Sequence, residues 1–312
     1  MTDSNIYSTN VLVVDDEPEM RSFIADYLRD IKGYTVFESP GGSHALEHVL
    51  PKEKIDIILS DINMPGMKGF ELLKAVREKY PDIKRVLITA YNVEDYLELA
   101  MKYDIGNIFI KTIPFNFEEL VVLIESLINN TVFGVDKYFD CNAERHTFII
   151  KRGDTLEDNA RTIVNCLPEP EKFKKLELVL FEILTNAVFY GIRNESPESK
   201  EDWDFDFELS EDDAITASVI YDDTKHGISI LDNGGRLKKN NVLYWLHRQI
   251  TSGEEGIPIG LYDSHGRGLF IARKYIDRVI VNIEKDKQTE IILINYNAKK
   301  FSGYKPLYIN EL

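Results

Sequence analysis

The chain has 312 residues, 44% of them hydrophobic, which is long for one core and sufficient for two. It carries 53 acidic against 37 basic residues, a net charge of −16 with no Lys/Arg-rich run, which argues against a nucleic-acid-binding output because such an output needs a basic face. No apolar stretch approaches the roughly 20 residues of a membrane span, the polar N-terminus is no signal peptide, and Cys141 and Cys166 lack any CxxC or His pairing. The expectation is a soluble cytoplasmic protein with free thiols and no membrane contact.

Residues 11 to 128 alternate short apolar strands with amphipathic helices, the pattern of an α/β doubly wound parallel sheet. Each predicted strand ends in a polar residue. Asp15 and Asp16 follow Val11–Val14, Asp61 follows Ile57–Ser60, Thr89 follows Val86–Ile88, and Lys111 follows Ile108–Ile110. In a parallel sheet with helical crossovers the strand C-termini share one edge, so these residues should converge there. A cluster of carboxylates offers the oxygen ligands that a hard cation such as Mg2+ requires, while the Lys and Thr can hold an incoming phosphoryl group. A single Asp at a strand end is commonly just a helix cap. Five at successive strand ends are read as a set.

With Asp61-Ile62-Asn63-Met64-Pro65-Gly66, this spacing resembles the receiver domain of bacterial response regulators over residues 1–128. The resemblance implies Asp61 as phosphoacceptor, Thr89 and Lys111 as catalytic partners, and Mg2+ held by Asp15, Asp16, Asp61 and the Asn63 backbone carbonyl. It also implies a sensor histidine kinase or phosphotransfer protein as partner. Two departures stand out: Thr112 and Ile113 separate Lys111 from Pro114-Phe115, and the position of the usual switch aromatic is Ile108. Phe109 should point to the opposite face. The helix predicted from Phe117 to Asn129 has more apolar surface (Leu120, Val121, Leu123, Ile124, Leu127) than one face needs, which suggests a homodimer.

A linker is placed at 129–139, too short to be a free tether, so the two units should touch. Beyond it a strand (His146–Lys151) should lead into a helix capped by Asp154 or Thr155, followed by a second helix from about Glu171 to Tyr190. Trp203, Phe205, Phe207 and Leu209 alternate with acids at a period of two, which predicts a strand in the most acidic stretch of the chain. Further strands are expected at 215–221, 227–231, 279–283 and 290–294, with a helix near 268–276. Consecutive strands with segregated helices make an α+β two-layer sandwich over 140–297, leaving 298–312 as a tail.

On the second helix Glu182 and Asn186 lie i, i+4 and face the same way. A carboxylate and an amide in one cleft suit a divalent metal and a polarised water or hydroxyl, although a plain solvated helix shows the same pair. Next come Asp232-Asn233-Gly234-Gly235 at a strand end, then Gly253, Gly256, Gly260 and Gly266-Arg267-Gly268-Leu269 at a helix start, where backbone N–H groups can approach phosphates.

In this order the set resembles the Bergerat ATP-binding fold, and within it the anti-sigma-factor serine kinases. The resemblance implies ATP as cofactor, with Asn186 holding Mg2+ on the phosphates and Asp232 accepting from the adenine amino group. Gly234, Gly266 and Gly268 would let nucleotide approach, and Glu182 would act as general base. Arg236 stands where the family's Asp-x-Gly-x-Gly has its last glycine. Residues 129–145 leave no room for the phosphoacceptor-His hairpin of a sensor kinase, and His44 and His48 read as surface histidines on a receiver helix. The expected function is a response regulator in which Asp61 phosphorylation controls an ATP-dependent serine/threonine kinase or anti-sigma-factor-like output, acting on Ser or Thr of a small antagonist protein and with that antagonist or a sigma factor as partner. The alternatives are a non-catalytic module that sequesters a sigma factor or other regulator, and an ATP domain that phosphorylates a His-containing partner in trans.

Overall fold

A computed structural model describes residues 9–195, 203–251, 259, 267–298 and 300–312. The first half builds five parallel strands: β1 (Asn10–Val14), β2 (Thr35–Ser39), β3 (Ile57–Asp61), β4 (Lys84–Thr89) and β5 (Asn107–Ile110). Their near-continuous Val/Ile/Leu runs are buried on both faces, as parallel strands covered by crossover helices must be. Helices α1 (Pro18–Asp30) and α5 (Phe117–Ile128) cover one face. The other is covered by α2 (Gly42–His44, continued by a π-turn, Ala45–Val49), α3 (Gly69–Lys79) and α4 (Leu97–Tyr103). Ile108 and Phe109 enter opposite cores, as strand alternation requires.

The second half contributes β6 (Glu144–Ile150), β7 (Ile215–Tyr221), β8 (Lys225–Asp232), β9 (Arg278–Glu284) and β10 (Gln288–Tyr296), all antiparallel to their neighbours in this group. Helices α6 (Leu156–Asn165), α7 (Lys174–Asn186) and α9 (Arg267–Tyr275) lie over one face, and α8 (Lys239–Ile250) lies between them and α4.

The two halves are one sheet. The strand order is β2-β1-β3-β4-β5-β11-β9-β10-β8-β7-β6, eleven strands among the described residues. Residues 298–312, expected as a tail, instead contain β11 (Leu307–Glu311), which runs antiparallel to β5 and parallel to β9. The apolar surplus of α5 is also taken up inside the chain. Leu120, Val121, Leu123, Ile124 and Leu127 are buried in a cluster that includes Ile280, Ile292, Ile294 and Tyr308 of the second half, so the helix face that suggested a homodimer is already covered. Around it Glu119 receives bonds from Arg278 Nε at 2.7 Å and the Tyr308 hydroxyl at 2.6 Å, all three residues being buried. Burial lowers the Arg278 pKa, but the Glu119 charge outweighs it and the net shift is upward.

Two local expectations fail for physical reasons. Residues 203–209 form no strand beyond a single bridge from Glu208 to Arg152; the alternation instead aims Trp203, Phe205 and Phe207 at Phe189, with Trp203 stacked on it at 4.1 Å. Neither Asp154 nor Thr155 caps α6 through its side chain. Asp154 pairs with Arg152, and the Thr155 hydroxyl donates to the Arg152 carbonyl.

Candidate functional sites

The C-terminal ends of β1, β3, β4 and β5 gather the first set of polar side chains around a cleft of about 460 Å³. Lys111 Nζ lies 2.8 Å from Asp15 Oδ2 and 2.5 Å from Asp61 Oδ1. Burial alone would lower the lysine pKa; the Asp61 charge and the bonds to both carboxylates reverse this, and the net shift is upward. Asp61 Oδ2 accepts from the Asn63 backbone N–H at 2.6 Å, and Asp15 Oδ1 from that of Glu17 at 2.9 Å. Thr89 is buried at the end of β4, its hydroxyl accepting from the Tyr91 N–H. Asp16 and Asn63 line the rim. The Asn63 amide donates to the Tyr96 hydroxyl at 2.7 Å, a link that the sequence did not suggest.

Among the described residues no group of three or more His, Cys, Asp or Glu side chains stands ready as a metal cluster. The lysine ammonium bridges the two carboxylates that were expected to share a cation. The carboxylates around the cleft are nonetheless hard oxygen donors, the ligand type that Mg2+ selects. The two residues inserted after Lys111 also have an explanation: Ile113 exchanges both backbone hydrogen bonds with Ser302, tying this loop to the chain's far end.

The second set surrounds a separate cavity of about 260 Å³ between α7, α8 and the ends of β8 and β10. Asn186 closes α7, which continues as a π-helical turn (Ala187–Ile192); such turns often mark functional sites. The turn brings Gly191 so close to β8 that a Cβ there would lie 2.8 Å from Asp232 Cγ, and one on Gly234 would lie 1.8 Å from the Gly191 carbonyl oxygen. Asp232 is buried and accepts from the Gly234 N–H at 2.9 Å. Burial raises its pKa to about 6 despite the Gly234 and Gly235 N–H groups and the Arg236 charge. Thr289, paired with Asp232 across the sheet, lines the same cavity, its buried hydroxyl having no hydrogen-bond partner among the described residues.

Glu182 lies one turn before Asn186, outside the cavity lining. A Cβ on Gly268 would sit 3.0 Å from the Glu182 Cβ and 3.6 Å from Asn186 Nδ2, so the start of α9 does approach the Glu/Asn face. The Arg236 guanidinium donates to the Ile192 carbonyl at 3.0 Å, at the cavity edge. Gly253, Gly256, Gly260 and Gly266 lie outside the described residues. Sequence reasoning missed Thr289 and the whole of α8, whose Asn241, Val242 and Trp245 form one wall. The apolar spacing of Val242, Trp245 and Leu246 was the available signal.

Comparison with known proteins bears on the first set. The family described as "Response regulator receiver domain" matches residues 11–125. The response regulator protein FleR of Pseudomonas aeruginosa is 32% identical over 117 residues, 38% of this chain and 24% of that protein. Sporulation initiation phosphotransferase F of Bacillus subtilis is 30% identical over 110 residues, 35% of this chain and 86% of that protein. Among solved structures, the Vibrio cholerae chemotaxis protein CheY4 is 31% identical over 38% of this chain and 98% of its own, with a TM-score of 0.35. The chain thus spans about a quarter of FleR and most of the shorter phosphotransferase. Through residues 11–125, the chain belongs to the response regulator receiver family.

Proposed function

We propose that this chain is a two-component response regulator that takes a phosphoryl group on Asp61 and, in residues 140–297, binds ATP as a serine/threonine protein kinase of the anti-sigma-factor type. Receiver domains typically bind Mg2+ at the phosphorylation site and receive the group from sensor histidine kinases or phosphotransfer proteins. Here a carboxylate oxygen of Asp61 attacks phosphorus, and the bond from phosphorus to the donor's nitrogen or oxygen breaks, its electron pair leaving with the donor. Lys111, already between Asp15 and Asp61, moves its charge onto the new phosphoryl oxygens, and the Thr89 hydroxyl donates to one of them. Asp15, Asp16, Asp61 and the Asn63 carbonyl would hold Mg2+, which neutralises the transferring oxygens.

The observation that carries the second half of the proposal is the cavity where Asn186, Asp232 and the unpartnered Thr289 hydroxyl meet. Its volume of about 260 Å³ suits the nucleoside part of a nucleotide. An ionised Asp232 accepts from an exocyclic amino group, Asn186 serves the Mg2+ on the phosphates, and Glu182, outside the lining, is left to act on the incoming hydroxyl as general base. Gly234 and Gly268 keep backbone close to the ligand, with Gly266 assigned the same role. Arg236 favours a second reading, a non-catalytic sequestering module, since it anchors to Ile192 at the cavity edge.

The test is thermal melting with Mg2+ and ATP, followed by transfer of labelled phosphate to candidate antagonist proteins. ATP should raise Tm in the parent and not in Asn186→Ala. Glu182→Ala should keep the shift and lose transfer. A parent protein whose Tm ignores ATP removes the kinase reading; ATP binding followed by labelling of histidine on a partner removes the serine/threonine assignment.

A further inference from the structure

Helix α8 lines the second cavity with one face and packs on the receiver's α4 with another. Asn241, Val242 and Trp245 line the proposed nucleotide cavity, while Leu243 and Leu246 are buried in the cluster that holds Leu97 and Ala100 of α4. The start of α8 is intrinsically weak. Its N-cap, Lys238, makes no side-chain capping bond, its first turn contains no acid, and its first residue is Lys239, a cation at the positive end of the helix dipole. The charge is met from outside the helix. Asp104, the left-handed residue that ends α4, lies 2.6 Å from Lys239 Nζ, and Glu311 of β11 lies at 3.9 Å.

The other end of α4 is wired to the acid pocket. Asp61 Oδ2 accepts from the Asn63 N–H, and the Asn63 side chain donates to the hydroxyl of Tyr96, the N-cap residue of α4. A phosphoryl group on Asp61 changes what that carboxylate can accept and draws Lys111 away, so the Asn63 loop and the Tyr96 bond must readjust.

Building on the ATP reading above, we infer that α4 and α8 form a relay in which the Asp104–Lys239 pair keeps the nucleotide cavity's α8 wall in place, and phosphorylation of Asp61 lowers nucleotide affinity by releasing it. The coupling is reciprocal: ATP opposes phosphorylation by the same factor. Among the described residues the acids paired with Lys239 are Asp104 and Glu311, so loosening the Asp104 pair leaves the first turn that carries Asn241 and Val242 with less support.

The experiment uses the full chain with beryllium fluoride and Mg2+ as the phosphoryl mimic, reading hydrogen exchange of residues 239–250 and ATP affinity in parallel. The mimic should speed exchange in α8 and weaken ATP binding at least fivefold. Asp104→Asn, which keeps the left-handed conformation that Asn tolerates, should reproduce both effects without the mimic. Tyr96→Phe should retain ATP affinity and blunt the response. Unchanged α8 exchange, with peptides around residue 61 protected by the mimic, overturns the relay, as does ATP affinity that rises or stays within twofold. A parent chain that binds no ATP defeats the nucleotide reading alone; the exchange of α8 then still decides the relay.

Discussion

The two cavities treat buried charge in opposite ways. At the receiver edge Asp15 and Asp61 converge, and one lysine bridges the two carboxylates and offsets part of their charge. In the second cavity Asp232 is buried among apolar walls with backbone N–H groups for support, and burial raises its pKa to about 6. On the proposed reading, the first site reacts at its own carboxylate and the second takes a ligand that brings the missing donor. A charge settled in advance favours chemistry; an unsettled one favours recognition.

The largest effect should come from breaking the first site. Asp61→Asn removes the nucleophile at nearly constant shape, so labelling by acetyl phosphate in Mg2+ should vanish; a variant that still takes label at the parent's rate removes Asp61 as acceptor. Next is the seam between the halves, where Glu119 and Arg278 are also a settled buried pair. Glu119→Ala should lower unfolding free energy by about 3–5 kcal/mol, because an uncompensated guanidinium is left inside. Urea titration would show it, and a loss below about 1 kcal/mol would mean that water reaches the arginine.

The unsettled carboxylate predicts the reverse behaviour. The folded pKa of Asp232 lies above its ordinary value of 3.8, so its contribution to stability is full below about pH 4 and is lost as pH rises through about 6. Asp232→Asn should flatten that profile and make the ligand-free protein more stable at pH 8, by up to about 3 kcal/mol, while weakening ATP binding. Equal melting curves for parent and variant from pH 4 to 8 would contradict a buried ionised Asp232. The smallest effect should follow Arg236→Gly at an exposed position, which would match the glycine of the ATP-binding fold that this half resembles: stability within about 0.5 kcal/mol and ATP affinity higher by less than tenfold. A larger gain in affinity would identify Arg236 as a block on the cavity.

The receiver half was legible because its signals are local. Each strand is a short apolar run, and the residue that ends it is the residue that matters, so Asp15, Asp61, Thr89 and Lys111 could be placed together from spacing alone. The second half was legible where a motif sat on one element: Asn186 on α7 and Asp232 at the end of β8 do share a cavity. It failed where long-range pairing decides. The alternating aromatics from Trp203 gather around Phe189, with Phe181 and Tyr190 beside it, rather than pairing with neighbouring strands, and the short run Leu307–Ile309 carries no strand signal until β5 and β9 are known to be its neighbours. Thr289 carries no motif and is defined only by its place opposite Asp232.

The position of β11 also sets an order of events as the chain folds. β5 and β9 touch the same strand and not each other, and that strand follows all the rest in sequence. A ribosome releases the receiver half first, with the edge of β5 still open, and nothing can join the halves into one sheet until residues 307–311 emerge. The seam is a contact of high sequence separation, the slowest kind to form. Refolding should therefore show the receiver core appearing ahead of the shared sheet, and a chain cut before residue 305 should leave β5 with an unpaired edge, exposed to any other strand in solution.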